Sequence, residues 1–115
     1  MFTITFSKKA REYLKEKEIP SFLIKISLFS EKCVQIYEPI IQPISREEIE
    51  KKLSAKEIIK EEGYAKPDIF YTSQFEELFK EQNEIQIERK RFPKKLVIQN
   101  IDPIIINTCR VDSSN

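Results

Sequence analysis

The clearest alternation of apolar and polar positions lies in residues 21–29, SFLIKISLF, and the seven residues 33–39, CVQIYEP, follow with a similar pattern. In the first segment every second position is apolar, on a face made of Phe22, Ile24, Ile26 and Leu28. This spacing predicts a well-buried β-strand, and the second segment predicts another that Pro39 interrupts. We expect the two to form a hairpin. Because the connection SEK has no glycine, a tight primed turn is not expected.

Other segments predict further strands and a second hairpin. Residues 2–6 and 68–72 are short runs of residues with high β-propensity, and residues 84–92 and 94–100 are predicted to pair around Pro93. The C-terminal segment 102–111, DPIIINTCRV, follows that hairpin.

Three segments show the 3.6-residue period of a helix, and each follows a capping residue. Ser7 precedes residues 8–18, Ser45 with Glu48 forms a capping box for residues 45–62, and Ser73 with Glu76 forms another for residues 73–81. Gly63 is placed to end the second helix. The irregular order of strands and helices predicts a single α+β domain over residues 1–115 and not a parallel doubly wound sheet.

Composition excludes several kinds of catalytic and binding site but does not identify one. The 20 basic and 19 acidic residues give a net charge of +1, so no overall field favours nucleic acid or a membrane surface. There is no histidine and one glycine, which excludes Ser–His and Cys–His dyads and a glycine-rich phosphate loop. We therefore expect a protein that is not an enzyme. No long apolar run or signal peptide is present, so it is predicted to be soluble and cytoplasmic, and its Lys and Glu enrichment is thermophile-like.

One concentrated basic segment, residues 88–95 (ERKRFPKK), has two interpretations. Its cations could neutralise phosphates while Phe92 stacks on a base. The interpretation that the neutral overall charge favours is a solvated hairpin tip, whose cations protect strand edges. Nucleic acid is accordingly not an expected partner.

The order of elements resembles the HesB-like, A-type iron–sulfur carrier family. The similarity lies in ITFSKKAREYLKEK (residues 4–17), in LIKISLFSEKC (residues 23–33), and in the strand, short helix and two strands of residues 71–100. It covers almost the whole chain in order. The resemblance implies a HesB-like fold, with mixed or antiparallel strands in a small sandwich-like arrangement and two or three helices. It also implies an iron or [2Fe–2S] cluster, with Cys33 at the first ligand position and Cys109 at one position of the tail.

This chain departs from the family pattern at the cluster ligands. The segment around Cys33 lacks the family's glycines, and INTCRVDSSN has one cysteine in place of a Cys-x-Cys tail. Four thiolates normally hold a cluster, so Cys33 and Cys109 would have to meet their counterparts across a dimer. Two alternatives stay open. In the first, Cys33 packs on a strand as a small apolar residue and Cys109 lies on a frayed tail; in the second, the two form a disulfide, as in some hyperthermophiles.

Two functions follow from these alternatives. The first is a divergent iron or iron–sulfur binding or carrier protein that uses Cys33 and Cys109. The second is a degenerate HesB-like domain without a cluster, acting as a structural or protein-interaction module. Both predict protein partners or self-association.

Overall fold

The computed structural model describes residues 2–61, 67–91 and 94–109, and these residues form eight β-strands and three α-helices. In chain order these elements are β1 (Thr3–Phe6), α1 (Lys8–Lys17), β2 (Ser21–Glu31), β3 (Val34–Pro43), α2 (Arg46–Ser54), β4 (Ile58–Lys60), β5 (Asp68–Thr72), α3 (Ser73–Leu78), β6 (Glu84–Lys90), β7 (Lys95–Ile98) and β8 (Ile104–Asn107). The predicted α+β class is confirmed.

The strands form two mixed sheets. One has five strands in the order β4-β5-β2-β3-β8, and the other has three in the order β1-β6-β7. Most neighbours are antiparallel, but β1 pairs with β6 and β2 with β5 in parallel. The predicted hairpins β2–β3 and β6–β7 are both present, although Pro93 lies outside the described residues.

The main core lies between the two sheets. Phe22, Ile24 and Ile69 of the five-stranded sheet belong to one buried cluster with Ile85 and Ile87 of the three-stranded sheet. The opposite face of the five-stranded sheet buries Leu23, Phe70, Ile58 and Ile44, against which Ile49 of α2 packs. Because successive residues of a strand face opposite ways, β2 contributes to both clusters.

The predicted helix over residues 45–62 is wrong in its second half. Ser45 caps α2 as expected, its Oγ accepting from the backbone N–H of Glu48 (3.2 Å), but the helix ends at Ser54 and residues 58–60 form β4. As a strand, β4 turns Ile58 to one core cluster and Ile59 to the other. Adjacent residues of a helix are about 100° apart and do not reach two opposite layers. Gly63, the predicted helix stop, lies outside the described residues.

Candidate functional site

Cys33 and Cys109 form a disulfide, with their Cα atoms 4.7 Å apart. This is one of the alternatives that the sequence left open. Cys33 is half-buried and belongs to neither core cluster, whereas Cys109 is exposed. The fold therefore brings the two predicted site residues together at one accessible place, 76 positions apart in sequence.

The local structure around the disulfide is a tight turn. Glu31 pairs with Val34, so Lys32 and Cys33 alone connect β2 to β3. A tight turn was not expected here because the connection has no glycine, and that expectation is wrong: Lys32 takes the positive φ (48°) that a glycine would otherwise supply. A left-handed conformation costs a non-glycine residue about 1–2 kcal/mol. Beside the turn, the backbone N–H of Thr108 donates to the carbonyl oxygen of Cys33 (2.6 Å).

The disulfide closes the tip of a three-stranded arm, which we define as residues 27–38 and 104–109. Burial falls steadily along β2, from buried at Ser21 to exposed at Glu31. The molecule measures 55 × 35 × 24 Å, and its radius of gyration of 16.0 Å exceeds the roughly 13 Å expected for a compact chain of this length. The arm thus lies beyond the layer that the three-stranded sheet covers.

Both faces of the arm carry apolar side chains. Phe29, Ile36 and Ile105 are direct cross-strand neighbours on one face, and Leu28, Tyr37 and Ile104 form the corresponding row on the other. Leu28 and Phe29 are each 54% exposed, Ile105 is 66% exposed and Ile106 is 43% exposed. In the described part of the chain, four of the six exposed large hydrophobic residues are therefore on the arm.

The outer edge of the arm is β8, a strand without charge. Its residues read IIIN, and within the part of the chain that the structure describes they pair with β3 alone, so the opposite side of the strand is a sheet edge. The edge strands β4 and β7 each carry a lysine, Lys60 and Lys95. Charged residues on an edge strand discourage pairing with other chains, so β8 is less protected than β4 and β7. The edge strand β1 (TITF) of the three-stranded sheet is uncharged as well.

An iron–sulfur cluster needs more sulfur ligands than one chain provides. Four thiolates hold such a cluster, and here the two sulfurs of Cys33 and Cys109 are bonded to each other. No group of three or more Cys, Asp or Glu side chains suited to a metal lies within residues 2–61, 67–91 and 94–109. The oxidised single chain does not fit a cluster, whereas two reduced chains together would supply four thiolates.

Glu61 is a buried carboxylate that the sequence did not reveal. It is 2% exposed, and its Oε2 accepts from the backbone N–H of Phe2 (3.0 Å). Burial raises the pKa of Tyr71, and the negative charges of Glu76 and Glu61 raise it further. In the predicted helix Glu61 was one of several charged residues, which is the usual composition of a solvated face. Its burial could have been predicted only if residues 58–60 had been recognised as strand β4.

The basic segment is exposed where the structure describes it. Lys90, Arg91, Lys94 and Lys95 are exposed, and Lys90 pairs with Lys95 across the β6–β7 hairpin. Phe92, the predicted stacking residue, lies outside the described residues. Beside the hairpin is a cleft of about 330 Å³ between β3 and β7, with Pro39, Ile41 and Leu96 in its lining.

A scan against protein-family models found no match, and neither did searches of curated proteins and of solved structures. No helix within the described residues is long and apolar enough to cross a bilayer. The resemblance to the HesB-like family thus stays a prediction from the order of elements.

Proposed function

We propose that this chain is a protein-interaction module and that the arm is its binding surface. The observation that carries the proposal is the exposure of Leu28, Phe29, Ile105 and Ile106 on one three-stranded projection. Exposed apolar side chains that cluster in this way are typical of protein contacts, whereas single ones are common anywhere on a surface.

The partner that suits this surface is an extended segment of another protein. Such a segment would add to the outer edge of β8, forming backbone hydrogen bonds there and extending the row Phe29, Ile36 and Ile105 with an apolar side chain of its own beside Ile105. The disulfide supports this role, because it holds β8 in register with β3 before the partner arrives and so reduces the entropy lost on binding.

Site-specific crosslinking in the cells that make the protein tests the proposal. A photoreactive residue at position 105 is expected to crosslink one protein, and the same residue at position 53 is the matched control. Leu53 is also an exposed large apolar residue (43%, against 66% for Ile105), but it lies on α2.

The crosslinked protein, once purified, is then used in binding measurements. Ile105→Glu is expected to weaken binding by roughly tenfold or more, as loss of a central apolar contact does, while Leu53→Glu leaves it unchanged. Equal crosslinking at positions 105 and 53, or equal effects of the two glutamates, would refute the arm as the binding surface.

Iron or iron–sulfur binding is a second candidate, because both cysteines converge at one exposed place. Here a reduced Cys33–Cys109 pair from each of two chains would hold iron or a [2Fe–2S] cluster. In anaerobic reconstitution with a thiol reductant, ferrous iron and sulfide, the protein should become coloured and retain iron. Cys33→Ser should abolish both, and colourless iron-free protein after reconstitution would rule this function out.

A further inference from the structure

Strand β8 is held at its two ends more firmly than along its length. Before it, Ile101 is buried in the main core, and the side chain of Asn100 bonds to the backbone of Gln86 and of Glu84, both at 2.8 Å. After it come the bond between Thr108 and Cys33 and the disulfide. Between these ends Ile105 and Ile106 stay exposed, so side-chain burial contributes little to holding β8 on β3.

Reduction would remove the covalent part of the anchor that follows β8 and leave only the hydrogen bond between Thr108 and Cys33. A thiolate of a dithiol reductant attacks one sulfur of the disulfide, and the other sulfur leaves as a thiolate and is protonated. The reductant's second thiolate then attacks the reductant sulfur of this mixed disulfide and releases the remaining protein sulfur as a thiolate, which is protonated in turn. The products are the thiols of Cys33 and Cys109 and one disulfide in the reductant. Cys109 is exposed, so this sulfur end of the bond is open to attack.

The surface that β8 would then uncover is the outer edge of β3, from Val34 to Tyr37. In the oxidised chain this edge pairs with β8 in a defined register, Val34 with Asn107 through Tyr37 with Ile104. A second copy of the chain carries the same β8, which fits the same edge in the same register. The strand is uncharged and the chain has a net charge of +1, so two copies meet little repulsion.

The link before β8 is suited to such an exchange. Only Asp102 and Pro103, both exposed, separate the buried Ile101 from Ile104. Proline disfavours helical conformations at the residue before it, which favours an extended link. Exchange of a terminal element across such a hinge forms a dimer at little cost, because the same contacts are made between chains as within one.

We propose that reduction of the Cys33–Cys109 disulfide releases β8 and that two reduced chains exchange this strand, each adding β8 to the β3 edge of the other. The claim that this exchange regulates partner binding rests on the proposed function, since Ile105 and Ile106 belong to the binding surface. The exchange itself does not depend on any other partner.

Sedimentation of the oxidised and the dithiothreitol-reduced wild-type chain gives the first test. We expect a monomer when oxidised and a twofold larger mass when reduced. A reduced chain that stays monomeric at every concentration overturns the proposal.

Mixing two single variants gives the second test. Cys33→Ser and Cys109→Ser chains, one of them tagged, are mixed and treated with oxidised glutathione. In an exchanged dimer Cys109 of the first variant lies beside Cys33 of the second, so a covalent heterodimer should dominate over homodimers on a non-reducing gel. Adding Ile105→Pro to the Cys33→Ser chain, which disrupts β8, should remove it.

Strand exchange is overturned if the covalent heterodimer persists with Ile105→Pro. It is also overturned if heterodimers and homodimers form in the proportions expected from random pairing of the two variants. The proposed function fails separately. If no exchange occurs while Ile105→Glu still weakens binding of the crosslinked partner, the arm remains a binding surface and only its regulation is refuted.

Discussion

A single hydroxyl group, that of Ser7, joins the start of α1 to a distant strand. Its Oγ accepts from the backbone N–H of Ala10 (3.0 Å) and donates to Oε1 of Glu88 (2.6 Å). The first bond follows from the sequence, because a serine before a helix predicts a cap. The second joins residues 81 positions apart, and only the parallel pairing of β1 with β6 brings them together.

Replacing Ser7 by alanine should therefore change both stability and a pKa. Loss of the cap is expected to lower the free energy of unfolding by about 1 kcal/mol at neutral pH, as measured by urea denaturation. The hydrogen bonds from Ser7 and from the backbone N–H of Arg89 lower the pKa of Glu88 from its ordinary value of 4.5. Ser7→Ala should raise the pKa of Glu88, which is measured by following the chemical shift of its carboxyl carbon in an NMR pH titration.

The direction with pH follows from this shift. A carboxyl whose pKa is lower in the folded chain stabilises the fold above its unfolded pKa, and the stabilisation is lost as pH falls through the folded value. The difference between wild type and Ser7→Ala should thus shrink in acid. Ser7→Thr keeps the hydroxyl and is the control, and an unchanged Glu88 pKa in Ser7→Ala would contradict the assignment.

At the scale of elements, the N-terminal cap of α3 lies one residue from its predicted position. The predicted cap of α3 was Ser73, with Glu76 completing a capping box, but the structure places the cap one residue earlier. Oγ1 of Thr72 accepts from the backbone N–H of Phe75 (3.1 Å), and Ser73 is the first helical residue. Both residue types are good caps, so local preference alone did not distinguish them.

Alanine substitution at these neighbours separates the two assignments. Thr72→Ala should lower the free energy of unfolding by about 1 kcal/mol, because an N–H of the first turn loses its acceptor. Ser73→Ala should change it by less than about 0.5 kcal/mol, as surface substitutions generally do. Chemical denaturation of the two variants decides, and a larger loss in Ser73→Ala would favour the capping box instead.

At the scale of the whole molecule, the disulfide ties the arm's tip to the end of β8 across 76 positions. A cross-link between such distant residues removes many conformations from the unfolded chain, an effect of about 4 kcal/mol in the chain-entropy model. Release of β8 in the reduced folded chain would return part of this entropy.

We therefore expect the Cys33→Ser, Cys109→Ser double variant to lose about 2–4 kcal/mol of unfolding free energy relative to the oxidised wild type. Wild type in dithiothreitol should lose a similar amount, which controls for the serines themselves. Denaturant unfolding of the three samples is the measurement. Equal stability of the oxidised wild type and the double variant would show that the cross-link constrains neither state.

Local patterns determined much of the secondary structure and the α+β class. Period-two alternation identified β2 and the first part of β3, and capping residues marked where α1 and α2 begin, because these signals depend on near neighbours. The same alternation predicted that both Ile24 and Leu28 are buried, and Ile24 is. Leu28 is instead exposed, because no second layer covers the arm at that point.

Tertiary structure alone decided the features that concern function. It made residues 58–60 a strand, because Ile58 and Ile59 are needed in two layers at once. It also decided between the alternatives for Cys33, since pairing of β3 with β8 brings Cys109 beside it and the two form a disulfide. Local sequence indicates which residues favour a strand, but strand pairing over long separations determines which residues meet and which strands stay exposed.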